Sequence, residues 1–490
     1  MQGSDTRSRN AIIFTIAIIA IVFGWLVLEI PKGILSSSGD EMLTAERSRE
    51  MLLLGRSEVH FNMKPSFEKP PLQYWLTSFT LPRLQNKSLA VRIWPWFYGL
   101  LTAIAAARLA FLLRPERPWF VPLSVAILVS CPLFATETCR GMLDTGLALF
   151  TTLTVLFAQL ARKNPAWWLA TAVACVLGSL QKIPIPFLVW IFMLAVRWSS
   201  REQRSELKSR WLLFSILGCV IAMLIWPLSQ ILTFQVPYQH LFHQEVVDWL
   251  GPEHLGAQPY LEIPYRLIVS SALGAFLLAA PFVVVFWEKE EFGKPAREIS
   301  IACLVLVVVE ILFNFRHVRY AEPIIPSLCL LLALVAERIL RYRGSIRIIA
   351  TAVLAVLLLA GVVQTELQIY FRRQKDLGDE QVVAEKLGAL QRPGLRTILV
   401  KAIKVGTDLH FASFYLFHGN MRYPVEKYTV DELRHSPPKP PLIGACVARD
   451  LPSVQDIYPG AKVDYTRAQF IIWTIDDLNM GAASVPRSGH

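Results

Sequence analysis

The stretch AIIFTIAIIAIVFGWLVLEI, residues 11–30, decides the fold of this chain. It carries no charge before Glu29, and a helix of about 20 apolar residues is long enough to cross the ~30 Å hydrocarbon layer of a bilayer. Glu29-Ile-Pro-Lys-Gly follows, where a signal peptide would carry small residues for cleavage. We therefore interpret the run as an uncleaved membrane anchor.

Further apolar segments follow, and we predict about eleven membrane-spanning helices in all. The later segments are residues 89–113, 119–136, 141–161, 166–181, 183–197, 211–233, 266–287, 299–313, 321–340 and 346–369. Composition agrees, because the 490 residues are 54% hydrophobic and only 18% charged, whereas soluble proteins average ~25% charged. A purely soluble, a disordered and a fibrous protein are thereby excluded.

Lys and Arg gather in the short loops on one side of the predicted membrane domain, which orients it by the positive-inside rule. With the N-terminus in the cytoplasm, that side receives Arg114/Arg117, Arg162/Lys163, the run 197–210, Lys289/Lys294/Arg297 and Arg338/Arg341/Arg343/Arg347. The loop 235–265 on the other side has neither Lys nor Arg. The net charge of +11 is therefore mostly a topology signal, and we expect no nucleic-acid partner.

The polar segment 371–490 follows an odd number of spans and is expected outside the cytoplasm, next to a membrane domain over 1–370. Helical spacing over 379–391 and β-rich stretches at 397–403, 442–448 and 469–475 predict a small α/β domain. Cys446 is its one cysteine, so no disulfide framework is expected there. The tail from Gly481 is expected to be disordered.

Adjacent carboxylates, Asp40 and Glu41, open the first extracytoplasmic loop, residues 31–72. One interpretation makes a carboxylate at the membrane surface a general base or metal ligand. The other makes Asp40 the N-cap of a surface helix that runs through Met51, with Glu41 in its first turn. Both interpretations can hold at once.

The same loop ends Glu68-Lys69-Pro70-Pro71-Leu72-Gln73-Tyr74-Trp75-Leu76. The two prolines stiffen the segment that carries Lys69 just before an apolar helix. A rigid cation at headgroup depth suits a phosphate. The alternative is an interfacial lysine beside an aromatic belt.

These motifs together resemble the polyprenyl-phosphate-dependent glycosyltransferases of the GT-C fold. The likeness is greatest to the lipid A aminoarabinose transferases and extends to the protein O-mannosyltransferases. It spans the chain and includes Arg140-Gly-Met-Leu-Asp144, Gly178-Ser-Leu-Gln-Lys182-Ile-Pro184 and Arg316-His-Val-Arg319-Tyr320-Ala-Glu-Pro323. The fold it implies is an α-helical polytopic membrane protein of GT-C type with a small C-terminal extracytoplasmic α/β domain.

The resemblance also implies site residues. Asp40 corresponds to the catalytic base or metal-site acid, with Glu41 as its neighbour, Asp144 to the second acid, and Lys69 to the lysine that recognises the donor phosphate. Relatives often carry Asp-Glu-x-Arg-Tyr in the first loop, whereas this chain has Asp40-Glu41-Met42-Leu43-Thr44. A divalent cation (Mg²⁺, Mn²⁺ or Zn²⁺) held by Asp40 or Asp144 is an optional cofactor.

The remaining motif residues have two interpretations each. Arg140 and Asp144 are four positions apart, so on a helix they share a face as a local salt bridge or as part of a site. Lys182 is either a cation at a helix break or a second phosphate ligand. Arg316 and Arg319 either cap helices and snorkel or bind the donor phosphate through their fork-shaped guanidinium groups.

Loop 235–265 contains His240 and His243, which could form half of a metal site on a helix. An amphipathic lid over the site is the interpretation that we favour. The sequence has no Walker motif, dinucleotide fingerprint or nucleophile elbow. A nucleotide-sugar donor is therefore disfavoured.

We accordingly expect an inverting transfer of a sugar from a polyprenyl-phosphate donor to a glycolipid or protein acceptor, with Asp40 as base. The expected protein is a monomer in the bacterial inner membrane, with its N-terminus in the cytoplasm and its C-terminal domain in the periplasm. The alternatives are a flippase or transporter of lipid-linked sugars, a protein O-glycosyltransferase, and an inactive scaffold for envelope assembly.

Overall fold

The computed structural model describes residues 2–32, 39–55, 57–61, 63–234, 262–287, 292–312, 318–373, 378–401 and 425–476. The chain forms two compact units, each made of three stretches. Unit 1 comprises Met1–Lys32, Phe67–Gln73 and Arg92–Arg372. Unit 2 comprises Gly33–Ser66, Tyr74–Val91 and Arg373–His490.

Unit 1 is a bundle of mostly apolar helices, which confirms the predicted polytopic helical fold. Its helices are α1 (Gln2–Glu29), α4 (Lys87–Leu113, from Arg92 onward), α5 (Phe120–Val129), α6 (Pro132–Glu137), α7 (Asp144–Leu160), α8 (Trp167–Gln181), α9 (Ile185–Ser199), α10 (Arg210–Phe234), α11 (Glu262–Ser270), α12 (Gly274–Phe286), α13 (Gly293–Leu312), α14 (Ile325–Ile339) and α15 (Ser345–Arg373). Short 3₁₀ helices cover Arg204–Lys208 and Val318–Ile324.

Each of the eleven predicted apolar segments contains helix. In the described part of the chain, five helical segments are long and apolar enough to cross a membrane: Thr6–Glu29, Lys87–Leu113, Arg210–Thr233, Val318–Ile339 and Ser345–Phe371. Segment 119–136 is broken where Pro132 starts a new helix, because proline suits the first turn and cannot continue the helix before it. How many segments cross the bilayer stays a prediction.

Helix α7 packs against α8 and α9 in the interior of unit 1. Near the C-terminal end of α7, the fully buried Arg197 donates to Glu298 (Nε to Oε1, 2.8 Å). Arg162 pairs with the same carboxylate. The sequence places both arginines among loop cations. Arg197 is instead an interior residue, since Glu298 supplies the charge that makes its burial tolerable.

Unit 2 joins first-loop elements to the C-terminal part of the chain. The first-loop elements are α2 (Gly39–Leu54), strands β1 (His60–Phe61) and β2 (Lys64–Pro65), and most of α3 (Leu72–Thr80). The C-terminal elements are α16 (Gly378–Leu390), β3 (Arg396–Lys401), β4 (Val425–Thr429), α17 (Val430–His435), β5 (Leu442–Val447), α18 (Leu451–Ile457), β6 (Lys462–Arg467) and β7 (Phe470–Ile475).

The C-terminal strands form one mixed sheet in the order β4-β3-β5-β7-β6. Strand β3 is parallel to β4 and β5, and β7 is antiparallel to β5 and β6. Alternate residues of a strand point to opposite faces, so Leu399 packs in the cluster with Val383 and Leu387 of α16, while Ile398 packs in the cluster with Leu433 of α17.

The predicted small α/β domain is confirmed. Helix α16 and strands β3, β5 and β7 lie where the sequence indicated. Strands β4 and β6 were not predicted. Both are edge strands of the sheet, and the side chains of β6 are mostly exposed, so its short sequence offers only two apolar residues, Val463 and Tyr465. The predicted disordered tail lies outside the described residues.

The helix predicted from Asp40 through Met51 is present as α2, yet it is not a surface helix. Asp40 lies within its first turn rather than at an N-cap, and the charged side chains of Glu41, Glu46 and Arg49 are buried. Burial is tolerated where such charges are paired, as Glu46 and Arg49 are.

Candidate active site

A buried ion pair joins two of the predicted site residues within unit 1. Helix α7 begins at Asp144, and Lys182 follows α8 in a non-helical conformation (φ −156°, ψ −66°). Lys182 Nζ lies 2.5 Å from Asp144 Oδ1, and the two side chains are only 7% and 3% exposed. The structure therefore brings together the second acid and the cation at the helix break.

Two residues of the Arg-His-Val-Arg-Tyr-Ala-Glu-Pro motif join this pair. Lys182 Nζ lies 4.4 Å from the ring centroid of Tyr320, a cation–π contact. Glu322 is fully buried and interacts electrostatically with Glu137, Asp144 and Lys182. Neither of its carboxyl oxygens makes a hydrogen bond of normal geometry within the described part of the chain. Buried ionisable groups in a membrane domain are typical of functional sites.

Gln181 links this cluster to the segment that carries the Lys-Pro-Pro motif. Its Nε2 donates to Gln73 Oε1 (3.2 Å) and to the carbonyl oxygen of Leu143 (3.1 Å). Gly146 permits this approach, because a Cβ at that position would lie 2.5 Å from Gln181 Nε2. Lys69, four residues before Gln73 and also in unit 1, lies half-buried in a bend ahead of α3.

The prediction that Arg140 and Asp144 share a helix face is wrong. Arg140 lies in a bend before α7, which begins only at Asp144, so the helical spacing does not apply. Arg140 donates to Glu137 (Nη1 to Oε1, 2.5 Å), and Asp144 pairs with Lys182. The segment from Arg140 to Asp144 thus contributes to two ion pairs in the same unit.

Of the two arginines predicted to bind phosphate, the structure describes Arg319. Arg319 lies in the 3₁₀ helix Val318–Ile324, with its guanidinium carbon 5.9 Å from the ring centroid of Tyr320. Tyr320 is thus within cation–π range of Lys182 and Arg319. Arg316 lies outside the described residues.

Asp40 and Glu41 belong to unit 2, in the first turn of α2. Carboxylates there are favoured by the positive end of the helix dipole. Asp40 is half-buried and Glu41 fully buried. Asp40 is therefore the more accessible acid of the two, as a proton acceptor must be.

Two further carboxyl groups of α2 have strongly shifted pKa values. Burial alone would raise the pKa of Glu46, but the charges and hydrogen bonds of Arg49 and Lys427 outweigh it and lower that pKa to about 2. Burial, helped by the charge of Glu46, raises the pKa of Glu50 to about 7. Glu50 accepts a hydrogen bond from the backbone N–H of Met63 (2.9 Å).

In the described part of the chain, no group of three or more His, Cys, Asp or Glu residues could hold a metal ion. Asp144, one of the predicted metal ligands, is paired with Lys182. His240 and His243, together with the predicted lid, lie outside the described residues.

Sequence reasoning did not assign a role to Glu137, Gln181, Tyr320 or Glu322. Glu137 and Glu322 lie at the borders of predicted spans, and an acid at such a place is a signal that could have been followed. Gln181 and Tyr320 carry no comparable signal, because what they contribute to the site is contact with residues distant in sequence.

The helical bundle with its small C-terminal sheet has the fold of the GT-C membrane glycosyltransferases. Residues 68–226 match the family model described as dolichyl-phosphate-mannose-protein mannosyltransferase. The crystal structure of ArnT from Cupriavidus metallidurans bound to undecaprenyl phosphate superposes with a TM-score of 0.68 at 14% identity, over 94% of this chain and 97% of that one. The predicted fold and family resemblance are confirmed.

More distant and more local similarities agree. The oligosaccharyltransferase of Archaeoglobus fulgidus, in complex with Zn and sulfate, superposes with a TM-score of 0.54 at 10% identity, over 88% of this chain and 68% of that one. The undecaprenyl phosphate-alpha-4-amino-4-deoxy-L-arabinose arabinosyl transferase 2 of Sodalis glossinidius is 33% identical over 150 residues, which are 29% of this chain and 27% of the relative. The matches span less than half the length of the curated relatives.

Proposed function

We propose that this protein is an integral-membrane glycosyltransferase that moves a sugar from a polyprenyl-phosphate donor to an acceptor in the cell envelope. The observation that carries the proposal is the buried Asp144–Lys182 pair with Tyr320 and Glu322 within a GT-C bundle. Relatives named as undecaprenyl-phosphate sugar transferases support the donor class.

The donor phosphate is assigned to the cations of unit 1. Lys69 and Lys182 serve as point charges and Arg319 as a bidentate ligand, with Arg316 as a fourth cation predicted from the sequence. Asp144 and the Tyr320 ring hold the Lys182 ammonium in place. Preorganised cations of this kind stabilise the negative charge that develops on a departing phosphate.

Asp40 is assigned as the general base, with Glu41 as its buried neighbour. It takes the proton of the acceptor hydroxyl or amine as that group attacks the anomeric carbon. The bond from the anomeric carbon to the phosphate oxygen breaks, and the polyprenyl phosphate leaves with the electron pair. Attack opposite the leaving group inverts the anomeric configuration.

No step of this mechanism passes through a metal ion. Asp144, one of the two acids predicted to hold one, already pairs with Lys182. A metal requirement is a separate question, which chelation of the purified enzyme answers.

The charge pattern of the loops supports an inner-membrane protein with its N-terminus in the cytoplasm and its C-terminal domain in the periplasm. We propose that orientation, with chemistry at the outer face and a monomer as the working unit. A reporter fused to the C-terminus and active only in the periplasm tests the orientation directly.

The acceptor has two candidates. Relatives named as undecaprenyl-phosphate aminoarabinose transferases favour a lipid A-like glycolipid, whereas the family description over residues 68–226 favours a protein hydroxyl. Comparison of envelope lipids and proteins by mass spectrometry, with and without the gene, distinguishes them. A new sugar-bearing lipid in the presence of the gene supports the first candidate, and a new glycopeptide supports the second.

The test of the proposed activity is a transfer assay on membranes that contain the protein, supplied with radiolabelled polyprenyl-phosphate sugar. We expect label to move from the donor to an acceptor fraction. A flippase is distinguished by label that crosses the bilayer of sealed vesicles while the sugar stays on its lipid carrier. Label that neither moves nor crosses supports a scaffold and contradicts the proposal.

A further inference from the structure

Helix α2 needs compensating charges, since Glu46 lies near its middle and is only 2% exposed. A buried carboxylate without a partner is strongly destabilising. Arg49 supplies one partner in bidentate form, with Nε and Nη2 each 2.9 Å from a Glu46 oxygen. Because Arg49 lies on the same helix, this pair does not fix where the helix sits.

Lys427 supplies the second partner, from strand β4 of the C-terminal sheet. Its Nζ lies 3.4 Å from Glu46 Oε1, across 381 positions of sequence, and the side chain is buried. This long-range ion pair lies within unit 2. The C-terminal part of the chain thereby contacts the first loop through a buried charge.

An aromatic ring between the same elements strengthens this junction. Lys427 Nζ lies 4.7 Å from the ring centroid of Phe61 in β1, and the guanidinium carbon of Arg47 lies 5.4 Å from the same centroid. Arg47 also donates to the hydroxyl of Tyr74 (2.9 Å). Helix, hairpin and sheet therefore meet around Lys427, and a change there is felt by all three.

The charges at this junction are closely matched. Lys427 and Arg49 interact electrostatically with both Glu46 and Glu50. Removal of the Lys427 charge leaves two buried carboxyl groups beside one arginine. Such an arrangement is relieved by movement of α2 or by uptake of a proton.

We propose that Lys427 is a positioning residue for the transfer reaction: through Glu46 it holds α2 in the placement that presents Asp40 and Glu41 to the acceptor. Asp40 lies six residues before Glu46, or about 9 Å along a helix that rises 1.5 Å per residue. Because a helix is rigid over this distance, a tilt of α2 at Glu46 also displaces its first turn. The inference rests on the proposed function and gives the C-terminal domain a part in it.

The test compares Lys427→Met with Lys427→Arg and with a matched control, Lys462→Met, on the exposed edge strand β6 of the same sheet. We expect Lys427→Met to lower kcat at least tenfold with the KM for donor within twofold of wild type. Lys427→Arg restores most of kcat, and Lys462→Met is unchanged. A kcat within twofold of wild type for Lys427→Met overturns the proposal.

A second measurement does not depend on activity. Hydrogen–deuterium exchange of the peptide that covers residues 42–54 reports how firmly α2 is held. We expect faster exchange there in Lys427→Met than in Lys462→Met, and near-native exchange in Lys427→Arg. If wild type transfers no sugar but this difference is present, the proposed function fails and the clamp on α2 stands. Equal exchange in all variants overturns the clamp.

The double variant Glu46→Gln/Lys427→Met guards against simple misfolding, because it removes both charges of the long-range pair. We expect it to regain stability relative to Lys427→Met while kcat stays low. If its kcat returns to the wild-type value, the pair is a structural element and the positioning role is overturned.

Discussion

Lys182 Nζ lies 2.5 Å from Asp144 Oδ1, although 38 positions separate the two residues and both side chains are buried. Asp144 starts α7 and Lys182 follows the end of α8, so the pair joins neighbouring ends of two packed helices. A buried ion pair is weak evidence for stability alone, which agrees with the proposal that the Lys182 ammonium, also in contact with Tyr320, is held for the donor phosphate.

Asp144→Asn is predicted to reduce both stability and transfer. It leaves the Lys182 ammonium buried without its carboxylate, which typically costs about 3–5 kcal/mol. The double variant Asp144→Asn/Lys182→Met removes both charges and is expected to recover stability but not transfer. Thermal unfolding in detergent and the radiolabel assay measure the two effects. Wild-type transfer by the double variant contradicts a role for the pair in donor binding.

Gly146→Ala is predicted to damage the site through packing. The added Cβ would lie 2.5 Å from Gln181 Nε2 and 2.8 Å from Tyr98 Cε2, and overpacking of this kind costs about 1–3 kcal/mol. Gly218→Ala in α10 is the matched control, since a Cβ there meets nothing within 4 Å and alanine favours a helix. We expect a lower unfolding temperature and slower transfer for Gly146→Ala only. Equal behaviour of both variants contradicts the close packing around Gln181.

Glu50 is predicted to make the protein less stable as pH rises toward neutrality. Its folded-state pKa of about 7 lies above the ordinary value of 4.5, so the folded state holds the proton more tightly than the unfolded state. The stabilisation is complete below 4.5 and is lost as pH rises through about 7, with an effect on the order of 1–3 kcal/mol. Glu46 acts oppositely, because its lowered pKa makes its contribution fade as pH falls from 4.5 toward 2.

The measurement for Glu50 is thermal unfolding of wild type and Glu50→Gln between pH 5 and 8. The groups that act on Glu50 are Glu46 and Arg49 on α2, Lys427 on β4 and the Met63 N–H. The difference between the two proteins cancels the contribution of the groups that they share. We expect wild type to lose stability relative to Glu50→Gln as pH rises. Parallel curves contradict the assignment.

Much of the fold could be predicted from sequence because its signals are local. Apolar runs located the helices of unit 1, and β-branched stretches located β3, β5 and β7. The edge strands β4 and β6 were not predicted, and the side chains of β6 are mostly exposed. The burial of α2 escaped as well, since a helix with so many charged residues is usually a solvated one and its compensation comes from Lys427, far along the chain.

The candidate site was predicted only in part for the same reason. Asp144 and Lys182 were named separately from motifs, but their pairing depends on how α7 and α8 pack, which spacing does not encode. Spacing also suggested the pairing of Arg140 with Asp144, and it was wrong because the helix does not begin until Asp144. Glu322 was given no role although an acid at the border of a predicted span is a signal, and the fold places it within electrostatic range of Asp144 and Lys182.

The central claim is that Asp40 is the base of a sugar transfer. Asp40→Asn keeps the size of the side chain and removes its ability to accept a proton, and a general base contributes about 10²–10⁴-fold to rate. Asp464→Asn, on exposed strand β6, is the matched control. With equal amounts of each protein in the membrane, we predict that Asp40→Asn lowers transfer of radiolabelled sugar at least 100-fold while Asp464→Asn transfers normally. Transfer by Asp40→Asn at the wild-type rate contradicts the account.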